Sequence, residues 1–248
     1  MLELIDVSKS YGSVRVLSKI SQSKISEKTV VLLGSSGSGK STLLRAILGL
    51  HPIDQGSILI QGAPIAELSP RARAEKMGYV PQDGGLFPHL TAQGNITLAA
   101  RSLKWSNDRV AQRLGELSAL EFLSPELLGR FPVELSGGQR QRVALLRSLF
   151  LDPGLILMDE PFGALDPLVR NGIQTEMKAL FSRLKKTVVF VTHDVGEASF
   201  LADEILLMHE GRIVQAGKMN DLIKNPSEPF VTKFLNAQRV LPQAAGVI

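Results

Sequence analysis

The sequence predicts an α/β fold, a mostly parallel sheet covered by helices, into which a helical lobe is inserted. Three observations predict it. Short β-branched apolar runs recur between turn residues, the pattern of strands buried on both faces. One of them runs straight into a glycine-rich turn that opens a helix. Between about residues 84 and 152 the strand runs stop and leucines at helical spacing take over.

The strands come first. Thr29-Val30-Val31-Leu32-Leu33 leads into the glycine turn. Leu155-Ile156-Leu157-Met158 leads into Asp159-Glu160-Pro161, and Thr187-Val188-Val189-Phe190-Val191-Thr192 into His193-Asp194. In open α/β sheets ligands sit beyond the carboxyl ends of the strands, so three such endings on neighbouring strands converge on one pocket. A single run of this kind reads as core with a polar residue where the chain surfaces; three with these endings read as a site. Helices are expected over 42–50 and 170–184, and a strand, a Glu210-Gly211 turn and a second strand over 203–213. Within 84–152, residues 110–123 carry the helical spacing and Pro125 and Pro132 break the chain.

Composition bounds the function. The 248 residues bury a substantial core as one large domain or two lobes. A net charge of +4, from 28 basic and 24 acidic residues scattered along the chain, does not mark a nucleic-acid surface. With no cysteine, disulfides and thiolate metal sites are excluded. No stretch approaches the roughly 18 apolar residues of a membrane span, and the N-terminus lacks the pattern of a signal peptide. The expectation is a cytoplasmic protein whose membrane role, if any, comes through a partner.

The turn Gly34-Ser35-Ser36-Gly37-Ser38-Gly39-Lys40-Ser41, followed by Thr42, meets the pattern G-x-x-x-x-G-K-S/T. Glycines permit left-handed turns and let backbone amides wrap phosphates, while the following helix points its positive end at the anion. Lys40 is placed to reach the terminal phosphates and Ser41 to ligate Mg²⁺. A chance match in a chain of this size is on the order of one per cent. Asp159 suits the second metal-side carboxylate and Glu160 the group that polarises the attacking water. Adjacent carboxylates repel unless a cation or proton separates them, which suits a metal site.

Of four histidines, His193 alone ends an expected central strand. It suits a bond to the γ-phosphate and the orienting of Glu160 or water, though taken alone it reads as a satisfied structural histidine. His51, His89 and His209 read as structural or incidental. Gln82 follows the apolar Tyr79-Val80-Pro81 and reads either as an amide carried into the pocket or as an exposed loop residue. Tyr11 offers a face for adenine, or is a plain sheet tyrosine. A second anion-binding helix start is Leu135-Ser136-Gly137-Gly138-Gln139, where Ser136 is a good cap and the next helix begins on bare amides.

Taken in order, these motifs resemble the ATP-binding cassette (ABC) ATPases from Leu2 to about Phe234. The resemblance implies one domain over 1–248. A P-loop NTPase (RecA-like) lobe would span 1–85 and 153–235, with a mostly parallel sheet and a small N-terminal antiparallel sheet. A helical lobe carrying the signature would span 86–152, and 236–248 would form a short C-terminal tail. It makes Tyr11 the adenine-stacking aromatic, Gln82 the loop glutamine that reaches the metal, 135–139 the signature, and Ala164-Leu165-Asp166 the dimer-facing loop. Glu160, His193 and Lys40 become catalytic. ATP and Mg²⁺ are implied, bound by 34–42, Gln82, Asp159 and Asp166. Ser136, Gly137, Gly138 and Gln139 would grip the nucleotide of a second copy, or of a related ATPase, paired head to tail.

The subclass has its own argument. Only about 95 residues separate Ser41 from Leu135, with no sustained heptads, unlike chromosome and DNA-repair members. The single cassette and the lack of membrane spans leave a motor that docks on separate permease subunits, peripheral on the inner face of the membrane. Gly85-Leu86-Phe87-Pro88-His89-Leu90-Thr91, Lys104-Trp105, Phe131-Pro132 and Phe162-Gly163-Ala164-Leu165-Asp166-Pro167 resemble importer ATPases for quaternary amines. Phe190-Val191-Thr192-His193-Asp194, Asn225-Pro226 and Phe230-Val231 add to the likeness. Ser26-Glu27-Lys28 departs from it by lacking a glycine before the first core strand. The reading is an importer motor for a glycine betaine- or choline-like osmoprotectant or another small polar solute, working with a substrate-binding protein and without nucleic acid. The alternatives are the motor of an exporter or lipid-transport complex, or a soluble non-transport ABC ATPase.

Overall fold

The structure is a computed structural model that describes residues 1–120 and 122–238. Of the expected tail at 236–248, residues 239–248 lie outside the described residues. The chain opens with strands β1 (Leu2–Tyr11), β2 (Val14–Ile25) and β3 (Thr29–Leu33), then helix α1 (Lys40–Ile47). Strands β4 (Gln55–Ile60) and β5 (Ala63–Pro64), helix α2 (Pro70–Lys76) and strand β6 (Met77–Val80) follow. Three helices come next, α3 (Ala92–Ser102), α4 (Asn107–Ser118) and α5 (Gly137–Leu149). Strand β7 (Leu155–Asp159), helix α6 (Pro167–Leu184), strand β8 (Thr187–Thr192) and helix α7 (Val195–Leu201) return the chain to the sheet. The hairpin β9 (Glu204–His209) and β10 (Arg212–Gly217) leads to α8 (Met219–Lys224) and α9 (Pro229–Ala237).

Two sheets form. One is small and antiparallel, in the order β2-β1-β4-β5. The other has the order β10-β9-β3-β8-β7-β6, parallel throughout except for β10. Every residue of β3, β7 and β8 is buried, as their unbroken apolar runs predict. Successive side chains point to opposite faces, which splits these strands between two cores. Val31, Leu33, Ile156, Met158, Val188 and Phe190 join a core with α3, α5 and α6. Val30, Leu32, Leu155, Leu157, Val189 and Val191 join one with α1 and the antiparallel sheet.

Helix ends differ from the sequence expectation for local reasons. The first runs Lys40–Ile47, because Gly49 takes a left-handed φ of +69° just past its end. The helix expected over 110–123 is Asn107–Ser118: Ser106 caps its start, and Phe122 and Leu123 are buried outside it. The helix expected from 170 begins at Pro167, capped by Asp166. Among the described residues no helix is long and apolar enough to cross a membrane.

Candidate functional site

The 34–41 loop leaves the end of β3 and closes on the first turn of α1. Gly34, Gly37 and Gly39 have φ of +152°, +78° and +100°, conformations that glycine alone adopts readily. At Gly34 the need is also steric, since a Cβ would stand 2.3 Å from the carbonyl oxygen of Met208. Lys40 is 5% exposed and folds back into the loop, its Nζ donating to the carbonyls of Gly34 and Ser35 at 2.7 Å each. Burial pushes its pKa down, and the charges of Glu160 and Asp159 work the other way. A buried ammonium aimed at backbone oxygens stands ready to take phosphate oxygens in their place.

The β9–β10 hairpin holds the loop from outside. Gly211 donates its N–H to the Ser38 carbonyl at 3.1 Å and accepts from Ser18 N–H at 2.9 Å. Its φ is +73°, and a Cβ there would lie 2.4 Å from the Val16 carbonyl oxygen. The sequence reading took this residue only as a turn glycine.

At the end of β7, Asp159 pairs with the loop. Ser41 Oγ donates to Asp159 Oδ1 at 3.1 Å, and the carboxylate is 5% exposed. Burial pushes its pKa up, opposed by the Ser41 bond and the charge of Arg45. Among the described residues no group of three or more His, Asp or Glu side chains gathers as a metal cage. One hydroxyl and one desolvated carboxylate fit Mg²⁺, which keeps several waters and takes phosphate oxygens beside one or two protein ligands.

Glu160 takes a left-handed φ of +44° and anchors its N–H on Val191 of β8 at 3.0 Å. That turn brings its Oε1 to 3.4 Å from Nδ1 of His193, the residue after β8. The His193 ring is 59% exposed and the Glu160 side chain 26%. Lys40, Ser41, Asp159, Glu160 and His193 therefore share one end of the parallel sheet. A water beside Glu160 would have a base on one side and a cation-bearing loop on the other.

Tyr11 stands at the end of β1, 45% exposed. Its hydroxyl is hydrogen-bonded to Nδ1 of His51, with the two rings edge to face at 6.0 Å. His51, read from sequence as structural or incidental, thus orients the aromatic proposed for adenine. His89 packs edge to face on Phe87 at 5.9 Å, and His209 stacks on Phe230 at 3.6 Å, both structural contacts. Gln82 is exposed in the turn after β6. Behind it, Arg147 of α5 donates to the carbonyls of Gly85 and Gly84 at 2.6 and 2.7 Å. Sequence reasoning missed this arginine because its partners are sixty-two and sixty-three residues away.

The 135–139 turn caps α5. Ser136 Oγ accepts from Gln139 N–H at 3.3 Å, and Gln139 Oε1 accepts from Ser136 N–H at 2.9 Å, a capping box. Within the chain this turn packs on the start of α6. A Cβ on Gly137 would lie 3.4 Å from Leu165, and one on Gly138 2.8 Å from Val169. Asp166 is exposed and spends its carboxylate on the Val169 N–H at 3.1 Å, capping α6.

A family model described as ABC transporter matches residues 17–163. The glycine betaine/carnitine/choline transport ATP-binding protein OpuCA of Bacillus subtilis (strain 168) is 44% identical over 97% of this chain. The sulfate/thiosulfate import ATP-binding protein CysA of Synechocystis is 44% identical over 98% of it and is itself 67% covered. The chain spans 64% of the length of OpuCA, a little under two thirds. Among solved structures, a dimeric post-hydrolysis ATP-binding cassette bound to ADP and Pi superposes with a TM-score of 0.77 at 32% identity, covering 88% of this chain and 99% of that one. Motif order, sheet topology and these likenesses agree, and the chain belongs to the ABC transporter family.

Proposed function

We propose that this chain is the ATP-hydrolysing motor subunit of an importer. One observation carries the reading. Ser41 and Asp159 are paired beneath a loop that holds a buried lysine, and Glu160 and His193 are paired on the adjoining strand ends. Lys40 exchanges its loop carbonyls for phosphate oxygens and offsets the charge of the transferring group. Glu160 orients the attacking water and takes its proton as the bond from the γ-phosphorus to the bridging oxygen breaks. His193 holds the Glu160 carboxylate in place. Ser41 and Asp159, together with Gln82, would hold Mg²⁺, which when bound would supply positive charge to offset that of the phosphate oxygens. Tyr11 stacks on adenine.

Residues 1–85 and 153–235 form the nucleotide-binding lobe in this reading, and 86–152 a helical lobe that moves against it. Residues 136–139 and Asp166 face the nucleotide of a second copy or of a related cassette. Closure of the pair drives a separate permease that holds the subunit on the cytoplasmic side of the membrane, fed by a substrate-binding protein. Relatives named for quaternary amines and for sulfate match at the same identity, which supports a small polar solute as cargo. The quaternary amine is favoured by the stretches quoted from sequence.

The purified chain is expected to hydrolyse ATP in a Mg²⁺-dependent reaction. Glu160→Gln should lower kcat by about 10²–10⁴-fold, the scale of general-base catalysis, while still binding the nucleotide. Turnover at the parent rate in that variant removes Glu160 from the chemistry.

A further inference from the structure

Glu197 is a buried carboxylate that the reading above does not use. It lies in the first turn of α7, three residues after Asp194, in the D-x-x-E spacing of a helix cap. Asp194 does cap that helix, accepting from Glu197 N–H at 3.0 Å. The Glu197 side chain turns inward instead and is 6% exposed. Its Oε2 accepts from Thr192 Oγ1 at 2.6 Å and its Oε1 from Gln174 Nε2 of α6 at 3.3 Å. Thr192 in turn accepts from Asp194 N–H at 3.0 Å. The residues on either side of His193 are therefore both held through the same carboxylate.

A small cavity of about 80 Å³ joins this cluster to the site. Glu160 and His193 form part of its wall, and Arg170, Thr192 and Glu197 another. Arg170 reaches in from α6. Its Nη2 donates to the Leu165 carbonyl at 3.0 Å, its Nη1 is 3.9 Å from Asp194 Oδ2, and its Nε is buried without a partner among the described residues. The same arginine thus touches the exposed loop around Leu165 and the turn that carries His193. Burial pushes the Glu197 pKa up, opposed first by the Thr192 bond and then by the charge of Arg170. An ionised carboxylate in such a place is costly in a way that an apolar side chain is not. Capping α7 needs only Asp194, so the cap does not account for the buried Glu197 carboxylate.

We propose that Glu197, with Arg170, is a positioning residue for hydrolysis: it sets His193 against Glu160 and ties that turn to the Leu165 loop. This rests on the assignment of Glu160 and His193 to ATP hydrolysis. Contact made at the exposed 164–166 loop is then transmitted through Arg170 to the turn that carries the histidine, by one hydrogen bond to Leu165 and one 3.9 Å ion pair to Asp194, with no change of fold.

The test uses the whole chain with Glu197→Leu, which removes both acceptors, and Glu197→Gln, which keeps one. Glu197→Leu is expected to lower kcat by up to about 10²-fold, the cost of a displaced catalytic group, with the KM for ATP unchanged. Glu197→Gln should fall between it and the parent, which keeps the test alive if the leucine variant folds poorly. Loss of kcat and rise of KM together, in step with a lower melting temperature, would mark a merely structural carboxylate and overturn the proposal. So would an unchanged kcat. A second readout needs no turnover: the ¹⁵N ring signals of His193, assigned by their loss in His193→Gln, should move in Glu197→Gln without nucleotide. Fixed signals overturn the link. A parent chain that hydrolyses no ATP overturns the ATPase reading instead, because the histidine signals still decide the link.

Discussion

Asp159 carries its charge against its surroundings. Desolvation at the end of β7 raises its pKa, and the Ser41 bond recovers only part of the cost. The sign follows from linkage. A carboxyl whose folded pKa is raised destabilises the fold at every pH above that value, and the penalty lifts as pH falls through it toward the unfolded value. Well above the raised pKa the penalty is present in full. Asp159→Asn keeps an oxygen for Ser41 and drops the charge, so the nucleotide-free variant should melt above the parent, by about 2–4 °C for each kcal/mol regained. The same variant should lose the extra stabilisation that Mg²⁺ gives the ATP-bound parent. Paired thermal melts check both, and a lower melting point without nucleotide would show the charge to be compensated already. Asp159, Glu160 and His193 were legible from sequence because each closes an apolar run. His51 and Glu197 were not: their partners are Tyr11, forty residues back, and Gln174, twenty-three back on another helix.

At the scale of elements, one guanidinium ties α5 to the turn after β6. Gly84 and Gly85 have φ of +75° and +55°, and Arg147 pins both of their carbonyls from the far end of the helix that Ser136 caps. Burial acts against the charge of Arg147, with Asp83 offsetting part of it. Lysine cannot reproduce the planar fork, so Arg147→Lys leaves a carbonyl unpaired at a cost of about 1–3 kcal/mol. Amide exchange at 84–86 should then quicken by roughly tenfold or more, since each 1.4 kcal/mol is a factor of ten. Exchange at the parent rate would show that the glycines hold the turn unaided. Sequence showed which elements exist here better than where they stop. Leucines at helical spacing carried the expected helix to Leu123, whereas α4 ends at Ser118, and Phe122 and Leu123 reach the core from outside it. Spacing reports burial, and a loop buries leucines as readily as a helix does.

For the whole molecule the question is what covers the 135–139 turn. Within one chain it packs on α6 while Val133 and Leu168 stand 89% and 86% exposed beside it, and Phe131 and Val169 about half as much. Sequence alone placed an anion-binding helix start there; the proposal that the anion belongs to a second copy rests on the family resemblance, since a contact between chains leaves no spacing signal. The proposed head-to-tail pair makes a distinct demand on Ser136. Ser136→Arg forfeits a cap worth about 1 kcal/mol, small against the roughly 5–15 kcal/mol stability of a domain, so the variant should fold. Its 34–41 loop is untouched, so nucleotide binding should persist. In Glu160→Gln with Mg²⁺ and ATP, sedimentation should show a species of twice the 26.9 kDa chain mass. Adding Ser136→Arg should return it to a single chain, because the long cation fills the space the opposing phosphate needs. A double variant that still pairs would place the contact elsewhere on the surface. Nucleotide binding lost along with pairing would instead put Ser136 in the site of its own chain.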